Sequence, residues 1–201
     1  GKYRIINKIA QGGMGAVFKA IHPTLRREVI IKKLTLKSRN GSIKERFKRE
    51  AQILMDLSNP YIVRMFDYFT EGSSDYIVLE FVDGMALDKL LEKQFALSPQ
   101  LALLIFRDAC YGLRHAHSKN IVHRDIKPGN ILISRRAEVK LSDFGIASGE
   151  KEDDAAEKNL ASSDSNMTVV DSAKAITMTG ARLGTPAYIS PEQLADSSSV
   201  D

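Results

Sequence analysis

The first eighty positions carry short stretches of β-branched and aromatic residues around one helical stretch, and then give way to a wider, helical spacing. Residues 3–10, 16–21 and 28–34 carry β-branched and aromatic side chains at strand period, broken by Gly12-Gly13 and by His22-Pro23. A helix is predicted from Ser42, where Ser42-Ile43-Lys44-Glu45 has the form of a capping box, to about Leu57, just before Asn59-Pro60. On that helix Phe47, Glu50, Leu54 and Leu57 fall on one stripe. Residues 62–69 and 75–82 read as two further strands around the turn-rich Glu71-Gly72-Ser73-Ser74.

Beyond Asp83-Gly84 the pattern turns helical. Ser98-Pro99 supplies an N-cap and a proline in the first helical position, and Leu101, Ile105, Ala109, Leu113 and Ala116 recur at helical spacing to about Ser118. The short apolar runs Ile131–Ile133 and Val139–Leu141 follow. This order, a β-rich part with one helix and then a helical part, predicts an α+β chain without internal repeats. From Gly149 to about Lys174 the chain is acidic, rich in Ala and Ser, and lacks aromatic residues. Such a stretch cannot bury enough apolar surface to offset its ordering entropy, so a mobile insertion is expected, a flexible spacer in preference to a specific docking site.

Composition narrows the class. The 201 residues are 43% hydrophobic and 27% charged with a net charge of +4, an ordinary globular balance able to bury a core. Lys and Arg are dispersed rather than clustered, which argues against a nucleic-acid partner. One cysteine, Cys110, excludes an internal disulfide, fits a reducing compartment, and is expected to be a buried small hydrophobe. The longest strongly apolar run, Leu101–Phe106, is too short to span a bilayer, and no signal peptide opens the chain. The expected location is the cytoplasm. The chain starts at Gly1 rather than Met, so upstream residues are expected to be missing.

Chemistry concentrates in His123-Arg124-Asp125-Ile126-Lys127-Pro128-Gly129-Asn130 and in Asp143-Phe144-Gly145. A carboxylate to take a hydroxyl proton, a lysine for phosphate charge, and an Asn/Asp pair for a hard cation make a phosphoryl-transfer set. Each Asp or Asn alone could be a turn former; their order and spacing together could hardly arise by chance. Upstream, Ile9-Ala10-Gln11-Gly12-Gly13-Met14-Gly15-Ala16-Val17 offers glycines that let backbone N–H groups approach phosphate. In Val29-Ile30-Ile31-Lys32, strand alternation puts Ile30 and Lys32 on one face, with Lys33 facing the other way as a solvated lysine. Glu50, a carboxylate on an apolar stripe, needs a cation, and Arg46 one turn back is within reach.

Taken together these motifs resemble the protein kinase family, from Tyr3 onward except for the acidic insertion. The resemblance implies a bilobal fold, with a five-stranded antiparallel N-lobe and one helix over 1–82 and an incomplete helical C-lobe over 83–201. It implies Asp125 as the base, Lys127 as a charge stabiliser, and Asn130 and Asp143 as ligands of Mg²⁺, with Mn²⁺ as a substitute. For ATP it implies a site built from Ile9, Gly12, Gly13, Met14, Gly15, Val17, Ile30, Lys32, Glu50, Leu79, Glu80, Val82 and Leu132, with Glu50 pairing Lys32. His123 is expected to stack with Leu54, Met65 and Phe144 between the lobes; His22, His115 and His117 get only structural or surface roles.

Two departures stand out. Ala10 replaces the first glycine of the loop, and Ile30 replaces a small alanine where it should crowd the purine. Lys127 and the Gly184-Thr185-Pro186-Ala187-Tyr188-Ile189-Ser190-Pro191-Glu192 stretch resemble serine/threonine kinases, bacterial ones in particular. Protein Ser/Thr hydroxyls are then the acceptors, with autophosphorylation in trans or a homodimer as partner arrangements. The stretch from Asp143 to Glu192 is long for an activation segment. Phosphate on Thr177 or Thr179 would pair with Arg124. Helices that this family carries after Glu192 are missing, so an exposed apolar surface is expected where they would pack. The alternative is a kinase-like scaffold with weak catalysis.

Overall fold

The computed structural model describes residues 2–11, 15–35 and 41–144, together with Tyr188 and Pro191; for 35, 41–46 and 50 it describes the backbone alone. Strands β1 (Arg4–Gln11), β2 (Gly15–Ile21), β3 (Glu28–Thr35), β4 (Met65–Glu71) and β5 (Ser74–Glu80) form an antiparallel sheet in the order β1-β2-β3-β5-β4. Between β3 and β4 runs α1 (Gly41–Asp56). The predicted five strands and one helix are all present.

Register explains what the sheet carries. Val17 lies opposite Lys32 and Lys32 opposite Ile77; Lys19 lies opposite Ile30 and Ile30 opposite Leu79. Directly opposed residues share a face, so these six side chains lie on one side of the sheet. Ile30, Ile77 and Leu79 there join the larger apolar core, with Leu54 of α1 and Leu57 just beyond its end. The outer face has its own core of Tyr3, Ala20, Val29, Ile31 and Val78, flanked by Phe18, Phe66, Phe69 and Tyr76. Lys33 faces outward as expected, but it is only half-exposed, its ammonium lying over the Tyr76 ring at 5.7 Å. Edge strand β1 is exposed along its whole length and carries two register shifts, the usual way an edge is kept from pairing further.

Gly15 has a packing reason independent of any ligand. A Cβ there would sit 2.0 Å from the Lys33 carbonyl oxygen, so β2 and β3 can approach this closely only with glycine.

The second half holds β6 (Gly84–Ala86), α2 (Leu87–Gln94), α3 (Pro99–His117), a 3₁₀ turn Pro128–Asn130, and strands β7 (Ile131–Ser134) and β8 (Val139–Leu141). A three-stranded sheet runs β6-β7-β8. Helix α3 begins as predicted: Ser98 accepts the Leu101 N–H and Pro99 follows it. At Gly112 a Cβ would meet the Tyr61 carbonyl and a Leu141 methyl at 3.0 Å, so α3 lies close against β8.

Several expectations need correction. Helix α1 starts at Gly41, which puts Ser42 inside the helix rather than at its cap. The fourth strand begins at Met65; Ile62 instead bridges Leu141 in parallel, and Val63 donates to the Leu141 carbonyl at 2.9 Å. The fifth strand ends at Glu80 and not at Val82, and its turn shrinks to Gly72-Ser73. Cys110 is exposed, not buried. The buried stripe of α3 is Ile105, Ala109, Gly112 and Ala116, while Leu101 is exposed. A period of 3.6 identifies a helix but not which apolar residues face inward when apolar residues lie on both faces. Among the described residues Leu103 (70% exposed), Leu104 and Phe106 give α3 an exposed apolar face. Among the described residues no helix is long and apolar enough to cross a membrane. The acidic insertion, Thr177, Thr179 and the 184–192 motif, apart from Tyr188 and Pro191, lie outside the described residues.

Candidate active site

Residues 121–127 and 142–144 have no regular structure, and polar bonds fix their path. His123 is 1% exposed. Its Nδ1 accepts the Asp125 N–H at 3.3 Å, so the proton sits on Nε2, which donates to the Ser142 carbonyl at 3.0 Å. Burial pushes the His123 imidazole below its ordinary 6.5, against the pull of that carbonyl and of Asp125 and Asp143. The neutral ring thus ties the segment carrying Asp125 to the segment carrying Asp143. Phe144 packs on it with ring centroids 4.4 Å apart, and Leu54 and Met65 join the same core, as expected for His123.

Asp125 is gathered by its neighbours. Lys127 Nζ lies 2.8 Å from Asp125 Oδ2, and Asn130 Nδ2 donates to the same oxygen at 2.9 Å and to the Asp125 carbonyl at 2.7 Å. Asn130 is buried and its amide nitrogen is committed, which turns the carboxamide oxygen into the available ligand atom. The Asn130 carbonyl accepts the Ser142 N–H at 2.9 Å, joining the two segments again.

Across the cleft, Lys32 on β3 pairs with Asp143. Burial alone would raise the Asp143 carboxyl; Lys32, with a smaller contribution from Lys127, holds it below its ordinary 3.8. Asp143 is therefore ionised at neutral pH. Arg124 (φ 60°) and Asp143 (φ 55°) both adopt left-handed backbone, a strained choice that aspartate tolerates better than arginine.

Of the residues expected around ATP, Val17, Ile30, Lys32 and Leu79 lie on the same sheet face. Glu80 ends β5, Val82 follows it, and Leu132 lies in β7; Val82 and Leu132 pack against the shared core. Ile9 lies on the exposed edge strand. Gly12, Gly13, Met14 and the Glu50 side chain lie outside the described residues, and with them the Lys32–Glu50 pairing.

Sequence reasoning missed Lys140. It lies directly opposite Leu132 in the β7–β8 ladder, and its Nζ is 3.1 Å from Glu80 Oε2. A lysine three residues before the Asp-Phe-Gly carries no signal by itself.

A carboxylate held by a lysine and an amide, tied through His123 and Asn130 to the segment of a second carboxylate held by a lysine, can orient a hydroxyl and a hard cation with bound phosphate. Comparison with known proteins agrees. The protein kinase domain matches residues 3–201, and the chain belongs to that family. Bacterial relatives include the serine/threonine-protein kinase PrkC of Bacillus subtilis, 38% identical over 194 residues, 96% of this chain and 27% of PrkC. PknB of Mycobacterium tuberculosis is 36% identical over 205 residues, 100% of this chain and 30% of PknB. The probable serine/threonine-protein kinase pknA2 of Bifidobacterium longum is 36% identical over 198 residues, 96% of this chain and 23% of that protein. The chain thus spans about a quarter to a third of the curated relatives it matches.

Proposed function

We propose that this protein is a serine/threonine kinase that transfers the γ-phosphoryl group of ATP to Ser/Thr hydroxyls of proteins. The observation that carries the reading is the joined pair of carboxylates: Asp125 held by Lys127 and Asn130, and Asp143 held by Lys32.

In this reading Asp125 accepts the acceptor hydroxyl's proton and aims its oxygen at phosphorus. Lys127 stabilises charge on the group in transfer, and Lys32 contacts the α- and β-phosphates. The donor set fits Mg²⁺: Asn130 offers a carboxamide oxygen and Asp143 an ionised carboxylate, both hard ligands. When bound, the cation neutralises phosphate charge.

Ile30, opposite Leu79, narrows the space for the purine. Val17, Leu79, Glu80, Val82 and Leu132 line that region, and Ile9, Gly12, Gly13, Met14 and Gly15 are the residues assigned to the phosphates. Arg124, half-buried beside Asp125, is the cation for a phosphate on Thr177 or Thr179 placed by a second copy of the kinase. The cytoplasm, where ATP is abundant, is the location this reading requires.

A thermal-shift titration with ATP and Mg²⁺ tests the reading, because a ligand that binds the native state raises apparent stability. The midpoint should rise with ATP plus Mg²⁺ and lose the metal-dependent part in Asp143→Asn. A wild-type protein with no metal-dependent rise would favour a kinase-like scaffold.

A further inference from the structure

We propose that Lys140 is a positioning residue for the nucleotide site, acting through Glu80; this rests on the kinase reading above. Lys140 is directly opposite Leu132, so the two side chains share a face of the β7–β8 ladder, and Leu132 belongs to the proposed purine surroundings. From that face the lysine reaches away from its own sheet. Its Nζ lies 3.1 Å from Glu80 Oε2 at the end of β5 and donates to the Pro60 carbonyl at 3.0 Å. The same Glu80 oxygen accepts the Arg64 N–H at 3.2 Å, and the Glu80 N–H donates to the Arg64 carbonyl at 2.8 Å.

One residue further, Leu141 is fully buried, donates to the Tyr61 carbonyl at 2.8 Å, and accepts from Val63 at 2.9 Å. The connection after α1 is therefore held by two successive residues of β8, Lys140 through its side chain and Leu141 through its backbone. Three parts meet at this node: residues 60–64, the end of β5 that continues into residues 79–82, and the strand that leads through Ser142 to Asp143.

An exposed ion pair would contribute little, but the Lys140 side chain is only 13% exposed and is shared between a carboxylate and a carbonyl. Without the ammonium, Glu80 keeps one backbone donor and a half-buried charge, which turns toward water and loosens the end of β5. The loss falls on the residues proposed to hold the purine, while Asp125, Lys127 and Asn130 keep their own bonds. Ground-state nucleotide binding should suffer and the transfer step should not.

The test compares wild type with Lys140→Met, Lys140→Arg, Glu80→Gln and the Lys140→Met/Glu80→Gln pair. The Kd for ATP with Mg²⁺ is measured by calorimetry, and kcat and KM for ATP by phosphate transfer. Lys140→Met should raise Kd and KM about tenfold and leave kcat within about twofold. Lys140→Arg should restore most of the affinity, and the double variant should be no worse than Lys140→Met. Unchanged Kd and KM in Lys140→Met, or a fall in kcat at constant KM, overturns the inference and leaves the kinase reading intact. If Lys140→Met does not fold, Lys140→Gln decides by the same criteria. A folded wild type that binds no ATP defeats the kinase reading and this inference with it.

Discussion

The five-stranded sheet and the segment from Ile121 to Phe144 hold the side chains of the proposed site by different means. In the sheet, alternation and ladder register put Lys32 on the same face as Val17, Ile30 and Leu79, and two apolar cores fix the strands from either side. Few side-chain hydrogen bonds are needed there; buried Asp75, which accepts from Thr70 Oγ1 at 2.6 Å, is an exception. In the segment from Ile121 to Phe144 the positions of Asp125 and Asp143 depend on His123 and Asn130, both buried and polar. Apolar packing tolerates small shifts in a side chain. A directional network does not, and a group that must meet a reacting atom within a few tenths of an ångström benefits from that intolerance.

Substitutions in the two regions should therefore separate stability from chemistry. The largest expected effect is chemical: Asp125→Asn should lower phosphate transfer by about 10³-fold, with little change in thermal midpoint, because the amide keeps the size of the side chain. Next comes Ile31→Ala, which empties a buried position on the outer sheet face. It should destabilise the protein by about 3 kcal/mol in denaturant titration, while KM for ATP stays at the wild-type value wherever the protein remains folded.

His123→Leu lies between the two regions in kind. It should lose about 2 kcal/mol and also alter a pH profile. Because burial depresses the native His123 pKa below its ordinary 6.5, the native state binds fewer protons than the unfolded state just below that pH. The His123 contribution is present above about 6.5 and is lost as pH falls through the native pKa. Wild-type stability should decline with acid over this window, and the His123→Leu profile should be flatter. A parallel decline in both proteins would remove the buried neutral imidazole from the account. The smallest effect should come from Ser98→Ala, which removes the cap on the Leu101 N–H at 3.3 Å; about 1 kcal/mol of stability should go, with no kinetic change.

The same contrast explains what could be read from the sequence. The strands, α1 and the start of α3 announce themselves because periodicity and capping act locally. The residues of the catalytic segment are recognisable only as a motif; nothing in their spacing tells which atom bonds to which. The neutral tautomer of His123 follows from its two partners and was not legible beforehand. The inward turn of Ile62 and Val63 toward Leu141 was equally hidden, since a continuous apolar run does not say which neighbour it will pair with. Cys110 misled for the opposite reason, as an apolar neighbourhood on a helix with two apolar faces does not imply burial. Lys140 and Glu80 meet from positions 60 residues apart, and no local rule predicts such a pair.

The central claim is that Asp125 and Asp143 form one phosphoryl-transfer site. Labelled phosphate from γ-labelled ATP, followed into protein Ser and Thr in the presence of Mg²⁺, tests it most directly. The account predicts incorporation by the wild-type protein, dependent on the metal, and near silence from both Asp125→Asn and Asp143→Asn. Equal incorporation by either variant, or by wild type after Mg²⁺ is chelated, would contradict it.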